Sequence, residues 1–355
     1  MAGAGQYGAR AGGGVSTRVE LYRGGAPAWD AFVDAQPGAT SSHLYAWKLV
    51  VKQVYGHDAP YLVALSDDVI AGVLPLVDVR SFAFGRYLVS MPFLNAGGPL
   101  GTPEAIQQLT AAARRLAEQR KAQLTELRCT EALELDLPHS SEKVACVLPL
   151  PDTGEQLWSA LGGKLRSQVR KPQKEGIELR FGADQIEPFY NVFARNMRDL
   201  GSPPHPQQFF ESIARELGER VWFGCAYLKD VPVAAGCGLA FRDELEMTWA
   251  SSLRQYNSLA PNMLLYWSFM ERAVLQGFKT FNFGRCTPGS GAHRFKLQWG
   301  ATDVPLYWYR SARQRGASTP RQDSGSLSLA TRLWRHVPLP MANLIGARLR
   351  GGIPS

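Results

Sequence analysis

Residues 281–301 bring together several side chains with chemical reach. Arg285, His293, Lys296 and Trp299 lie around a Gly/Ser/Pro-rich loop at 287–291. Phe281 and Phe283 alternate with Asn282, which is a strand pattern, and the loop interrupts it. A strand end that feeds a glycine-rich loop with a cationic, aromatic-bearing exit is a common way to build a ligand site. The same residues also read as a surface loop followed by a structural strand, with Phe295 and Trp299 in a core.

Three further groups have chemical potential. Lys164, Arg166, Arg170, Lys171 and Lys174 place five cations within eleven residues. On a helix Arg166, Arg170 and Lys174 share a face, suited to a phosphate or simply solvated. At 257–263 a strand expected over 245–251 runs through a loop into a helix with Pro261 near its first position. Free backbone N–H groups at such a start bind phosphate, which makes Asn257, Leu259, Asn262 and Met263 the candidate carrier contacts. Acid/base work needs a carboxylate or imidazole within hydrogen-bond reach of the nucleophile. Asp199, Glu246 and His293 are the candidates. Asp199 also reads as a turn cap and Glu246 as a surface strand residue. No G-x-S-x-G elbow, P-loop or Rossmann fingerprint is present.

The elements that must position these residues form a diverged repeat. The hairpin around Asp67-Asp68 has a counterpart around Lys229-Asp230, and each reaches an Ala-Gly pair (Ala71-Gly72, Ala235-Gly236). Each is followed by further strand, a helix (105–119, 262–275) and a strand ending in Arg-Cys (124–128, 280–285). Helices are also expected over 29–35, 45–54, 157–171, 186–199 and 209–217, with Pro172 ending or kinking one of them. The order favours duplication, with a linker at 149–152.

Composition sets limits. The chain has 355 residues, a length that suggests two domains, and 45% hydrophobic residues, a globular value. No apolar run approaches the ~20 residues that span a bilayer. The net charge of +8 looks like a nucleic-acid signal, but seven Arg and one Asp place +6 of it in 313–355, leaving +2 for the rest. The five cysteines are dispersed and form no C-x-x-C pair, so no metal site is indicated and a reducing cytoplasm is the expected home. Residues 1–17 read as a disordered lead-in and 313–355 as a basic, flexible tail. Leu327, Leu329, Leu333 and Trp334 lie among Arg332, Arg335 and His336, a candidate membrane-surface segment.

The pattern resembles the FemAB-like branch of the GNAT acyltransferase superfamily, closest to the subgroup associated with PEP-CTERM/exosortase systems. The resemblance covers about 40–310. It rests on His43-Leu-Tyr-Ala-Trp, Tyr55-Gly-His, Gly72-Val-Leu-Pro-Leu and Phe93-Leu-Asn-Ala-Gly-Gly-Pro-Leu. In the second half it rests on Lys164-Leu-Arg-Ser-Gln-Val-Arg-Lys, on Phe193-Ala-Arg-Asn-Met-Arg-Asp-Leu-Gly-Ser-Pro, and on Phe283-Gly-Arg-Cys through Phe295-Lys-Leu-Gln-Trp-Gly. It implies an α/β (α+β) fold of two tandem GNAT-like domains, 18–150 and 151–312, with mixed sheets flanked by helices. It further implies acyl or aminoacyl transfer from acyl-CoA or aminoacyl-tRNA to an amine of a cell-envelope or exopolysaccharide-related acceptor. The site expected from the resemblance has Asp199, Arg285 and Lys296 as catalytic residues. It has Arg166, Arg170, Lys171, His293 and Trp299 on the substrate, and the carrier at 257–263. The rival expectation is a catalytically inactive adaptor. The chain departs from the family in two ways: it lacks a long charged helical hairpin, and its pyrophosphate fingerprint is not legible.

Overall fold

The computed structural model describes residues 17–81, 85–312 and 331–353. The lead-in expected over 1–17 falls outside them apart from Thr17.

The first half runs β1 (Arg18–Leu21), α1 (Ala26–Ala35), α2 (Ala46–Tyr55), β2 (Leu62–Ser66), β3 (Val69–Leu74), β4 (Val77–Ser81), β5 (Gly85–Val89), β6 (Leu100–Gly101), α3 (Pro103–Gln119), β7 (Leu124–Cys129) and β8 (His139–Pro149). The second half runs α4 (Gly154–Ala160), α5 (Gly163–Lys174), β9 (Ile177–Phe181), α6 (Ile186–Leu200), α7 (Gln207–Leu217), β10 (Val221–Leu228), β11 (Val231–Phe241), β12 (Glu244–Ser252), α8 (Pro261–Leu275), β13 (Thr280–Cys286), α9 (Gly291–Leu297) and β14 (Thr302–Ala312). A last helix, α10, spans Leu339–Gly351.

The repeated hairpins match in detail. Asp67 and Asp68 both take positive φ (50° and 65°), the conformation a two-residue turn needs to match strand twist. Lys229 does the same at 56°. In each hairpin the third residue after the turn, Ala71 or Val233, is bulged out of register. Each half also contains one parallel strand pair, β5 with β7 and β12 with β13.

The halves are joined by a reciprocal strand exchange. β8 leaves the first half to pair with β13 and β14, while β14 returns from the second half to pair with β7. The result is one ten-stranded sheet, β4-β5-β7-β14-β8-β13-β12-β11-β10-β9, beside a four-stranded sheet, β1-β2-β3-β6. Three main cores fill the layers. One packs under α3, one surrounds α8, and one draws on both halves where Trp47 of α2 meets Phe209 of α7 at 6.5 Å. Arg242 adds a clasp by donating to the Val33, Asp34 and Gln36 carbonyls at the end of α1.

Two expectations are corrected. Residues 291–297 form a helix, not a resumed strand, because the Ser290 hydroxyl accepts from His293 N–H and caps it. The flexible tail is not flexible coil throughout. Residues 313–330, with Leu327 and Leu329, lie outside the described residues, but α10 packs on the body. Its Gly346 sits so close to Pro204 that a Cβ would lie 2.6 Å away, and Gly351 O accepts from His57 Nε2. Among the described residues no helix is long and apolar enough to cross a membrane.

Candidate active site

The parallel pair β12/β13 is short. Register pairs run from Glu244↔Thr280 to Glu246↔Asn282 and stop. Beyond that point β13 stays on β8 through a register shift between Asn282 and Arg285, with Gly284 at φ 72°, while β12 continues along β11. The strands therefore splay, and a cavity of about 900 Å³ opens between them. Met247, Thr248 and Trp249 form one wall, Gly284 and Arg285 the other. Phe93, Asn95 and Lys143 from the first half close the far side. A Cβ on Gly284 would lie 3.2 Å from Met247 O, so only glycine leaves the floor of the wedge clear.

Thr248 has no register partner on β11, since Cys237 pairs with Trp249 and Gly238 with Met247. Such a bulge takes backbone groups out of the ladder and re-aims them. The Thr248 hydroxyl and the Trp308 indole N–H, on residues that line this cavity, are buried and have no hydrogen-bond partner among the described residues. Orphaned polar atoms lining a cavity are suited to a polar ligand.

Glu246 stands at the apex of the wedge. Burial pushes its carboxyl up to about 7, and the Glu244 carboxylate pushes the same way. The Asn95 amide, donating at 2.6 Å, Lys296 and Arg285 pull it down. A carboxyl poised there can take up a proton near neutrality.

Around this acid the cavity is cationic. Arg285 packs on the Trp308 ring at 4.7 Å, as do Arg128 at 4.3 Å and Arg310 at 5.9 Å. Arg310 is held by Glu126 and Arg128 by Glu126 and the Leu94 carbonyl. The Arg285 guanidinium has no ion-pair partner among the described residues. Burial first, and then Arg128, bring it down to about 10. Arg350 of α10 reaches the same cavity, with its Nε donating to His205 at 3.1 Å. Lys296 lines the cavity and donates to the Gly284 and Arg285 carbonyls at 2.7 and 3.0 Å, which pins the turn of β13. Burial lowers its ammonium.

The other expected site residues lie elsewhere. Asp199 is ion-paired with adjacent Arg198 at 2.7 Å and does not line the cavity, although Met197 does. Arg166 donates to the Leu161 carbonyl, Arg170 packs on Trp158, and Lys171 is exposed on α5; none lines the cavity. Trp299 and Met263 are core residues. Leu259 packs against that core, and the Asn257 amide oxygen accepts from Ser252. Asn262 sits in the first turn of α8, where no side chain caps the helix. The strand–turn–helix junction is thus as expected, while the large cavity lies on the strand side.

His293 is part of a cluster with Cys146 and Asp303 whose ligating atoms lie within 4.8 Å of one another. Its Nδ1 accepts from Gly289 N–H, so Nε2 carries the proton and donates to Asp303 at 2.9 Å. A metal-bound imidazole needs an acceptor at its other nitrogen. A donor stands there, so the geometry fits a clamp on the 287–291 loop.

Sequence reasoning passed over Asn95, Thr248, Trp308, Arg310 and Arg350. The one available signal was Glu246, a carboxylate inside β12 two residues after Glu244 and followed by no further charge in the strand.

Residues 162–297 match the family model described as an acetyltransferase (GNAT) domain. No curated protein sequence matches the chain significantly. Among solved structures, FemX is similar over 82% of this chain and 97% of its own, at 14% identity and a TM-score of 0.63. L-PGS from Bacillus licheniformis is similar over 87% of this chain and 96% of its own, at 13% identity and 0.53. A tandem GNAT protein from the clavulanic acid biosynthesis pathway is similar over 85% of this chain and all (100%) of its own, at 11% identity and 0.52. The chain therefore carries an acetyltransferase (GNAT) domain in its second half, within a mixed α/β fold shared with tandem GNAT proteins.

Proposed function

We propose that the chain is an N-acyltransferase that works in the β12/β13 wedge. The observation that carries this reading is the Glu246 carboxyl, raised to about 7, which sits directly behind the lining of an open, cationic cleft and is bonded to the lining residue Asn95. The units divide near residue 150, and the cleft draws residues from both.

The donor, acyl-CoA or aminoacyl-tRNA, lies along the free edge of β12. A strand edge offers alternating N–H and C=O groups to an extended, amide-bearing chain. The acceptor amine enters from the side of Asn95 and Lys143 and attacks the acyl carbonyl carbon directly. Glu246, ionised above about 7, takes the proton that the amine loses. Backbone N–H groups at the Thr248 bulge hold the tetrahedral oxyanion; such a donor is typically worth ~3–4 kcal/mol. The new C–N bond forms, the C–S bond of a thioester or the C–O bond of an aminoacyl ester breaks, and the proton returns to the leaving group. Arg285, Arg310 and Arg350 hold an anionic part of donor or acceptor. Lys296 keeps Gly284 and Arg285 in place and lowers the charge cost near Glu246. Asp199 is replaced by Glu246 as the base.

The acceptor we favour is an amine of a cell-envelope or exopolysaccharide-related molecule, in the FemAB-like, PEP-CTERM-associated setting that the motifs suggest. FemX and L-PGS share the fold, which is compatible with an aminoacyl donor. The open cleft counts against an inactive adaptor.

The test is transfer of label from acetyl-CoA or aminoacyl-tRNA to an envelope extract by the purified chain. Transfer that Glu246→Gln abolishes is the expected result. No transfer from either donor by a folded chain would remove the proposal.

A further inference from the structure

Helix α10 is built the wrong way round for a helix whose only task is to pack on its own body. Its buried positions are small, Ala342 and Gly346, while Met341, Leu344, Ile345 and Leu349 face outward. These four fall at i, i+3, i+4 and i+8, one continuous apolar stripe. Leu344 is 64% exposed, and Leu333, just before the helix, is 63% exposed. Leu200, at the end of α6 on which α10 packs, is also exposed. A patch of large apolar side chains on a convex surface needs an apolar partner.

The charges around it say which. Arg332, Arg335 and Arg348 are exposed in the same segment, and no Asp or Glu occurs after Asp323. The chain's segments outside the described residues are poor covers: 1–16 hold only Met1, Tyr7 and Val15 as large apolar residues, 313–330 only Leu327 and Leu329, and 82–84 only Phe82 and Phe84, too few residues to cover a 13-residue helix. A second copy would bring the same arginines face to face. We propose that α10 and the turn before it form an interfacial docking face for an anionic lipid surface. Lying flat, the 13-residue helix is about 20 Å long and buries its stripe among the acyl chains, with the arginines at headgroup level.

The inward side of the same helix puts Arg350 into the cleft and receives His57 on the Gly351 carbonyl. One helix diameter, ~10 Å, therefore separates the lipid-facing stripe from the cleft wall. The docking inference stands on the helix alone and does not depend on the transfer reaction.

The test is co-sedimentation of the full chain with vesicles of phosphatidylcholine, with or without phosphatidylglycerol, at low and raised salt. Binding to the phosphatidylglycerol vesicles that weakens with salt is expected. It should fall roughly tenfold or more in the Leu344→Ser/Leu349→Ser and Arg335→Gln/Arg348→Gln chains, as two cations near an anionic surface warrant. No binding, or binding unchanged in both variants, would overturn the proposal. So would a wild-type dimer in size-exclusion chromatography that the leucine variant dissociates. Leu344→Cys carrying an environment-sensitive dye keeps the test independent of the serine variant's folding. A blue shift on phosphatidylglycerol vesicles supports docking, and an unchanged spectrum contradicts it.

Discussion

The two parallel strand pairs hold matching places in the two halves and differ in what surrounds them. In the first half β7 ends in Arg128-Cys129; in the second, β13 ends in Arg285-Cys286. Arg128 is fully buried, paired with Glu126, and donates to the Leu94 carbonyl. The chain after β5 folds back into its own wedge: Gly98 N–H donates to Arg128 O, and the Ser90 hydroxyl accepts from Arg128 N–H. Arg285 instead lines an open cavity with no ion-pair partner among the described residues. With the Arg-Cys pairs aligned, buried Leu88, opposite Thr125, takes the place that Glu246 holds opposite Asn282. One wedge is largely taken up by the returning chain, which leaves a cavity of only about 170 Å³ beside Arg128 and Cys129; the other opens into about 900 Å³, with an acid at its apex and cations along its lining. A duplicated frame lets one copy supply rigidity while the other keeps the strained and charged groups that chemistry needs.

Substitutions that swap these roles should break the comparison. Glu246→Gln should lower the transfer rate by ~10²–10⁴-fold with little change in fold, since it removes only the proton acceptor. In the wild-type chain the rate should rise with pH through about 7, because the base form appears there; the variant's residual rate should show no such limb. The same carboxyl has a stability signature. Its folded pKa lies above the ordinary 4.5, so the native state holds the proton longer, and stability should fall as pH rises from about 4.5 to about 7. Denaturant titrations across that window should be flatter for Glu246→Gln.

The arginine pair gives a crossed test. Arg128→Ala should destabilise by up to ~3–5 kcal/mol in chemical unfolding, because it breaks a buried ion pair, leaves the Glu126 carboxylate with Arg310 alone and takes the donor from the Leu94 carbonyl. Arg285→Ala should leave unfolding nearly unchanged and raise KM for the anionic substrate. Equal effects on stability would end the division of labour proposed here. Gly284→Ala should cost ~1–2 kcal/mol for a left-handed conformation at φ 72°, and should also slow transfer, because its methyl group points at the Met247 carbonyl. The smallest effect belongs to Asp199→Ala: steady-state rates should stay within a few-fold of wild type, since its carboxylate is already taken by Arg198.

The matching hairpins were legible because each turn and each Ala-Gly pair is local. Arg285 and Lys296 were legible as neighbours of a loop at a strand end. Glu246 was visible but undecided, since its role depends on where β13 leaves β12, which no local pattern reports. Trp308 and Arg310 reach the cleft only through the exchange of β14 and β8, a long-range pairing. Arg350 was hidden because the alternation that marks strands and helices fades after Pro320, and α10 shows its apolar stripe to the outside. The ion pair of Asp199 with Arg198 was not legible, because a carboxylate before a Pro-rich loop looks free until its neighbour is placed. The distance of the α5 cations from the cavity was hidden for a similar reason: clustering in sequence does not report which cavity a helix face meets.

Hydrogen–deuterium exchange on the wild-type chain, with and without coenzyme A or an aminoacylated RNA minihelix, tests the central claim most directly. The account predicts that at least one of these slows exchange at 247–250 and 284–286, while 88–98 is unchanged. Protection confined to 88–98, or none with either probe, would contradict it.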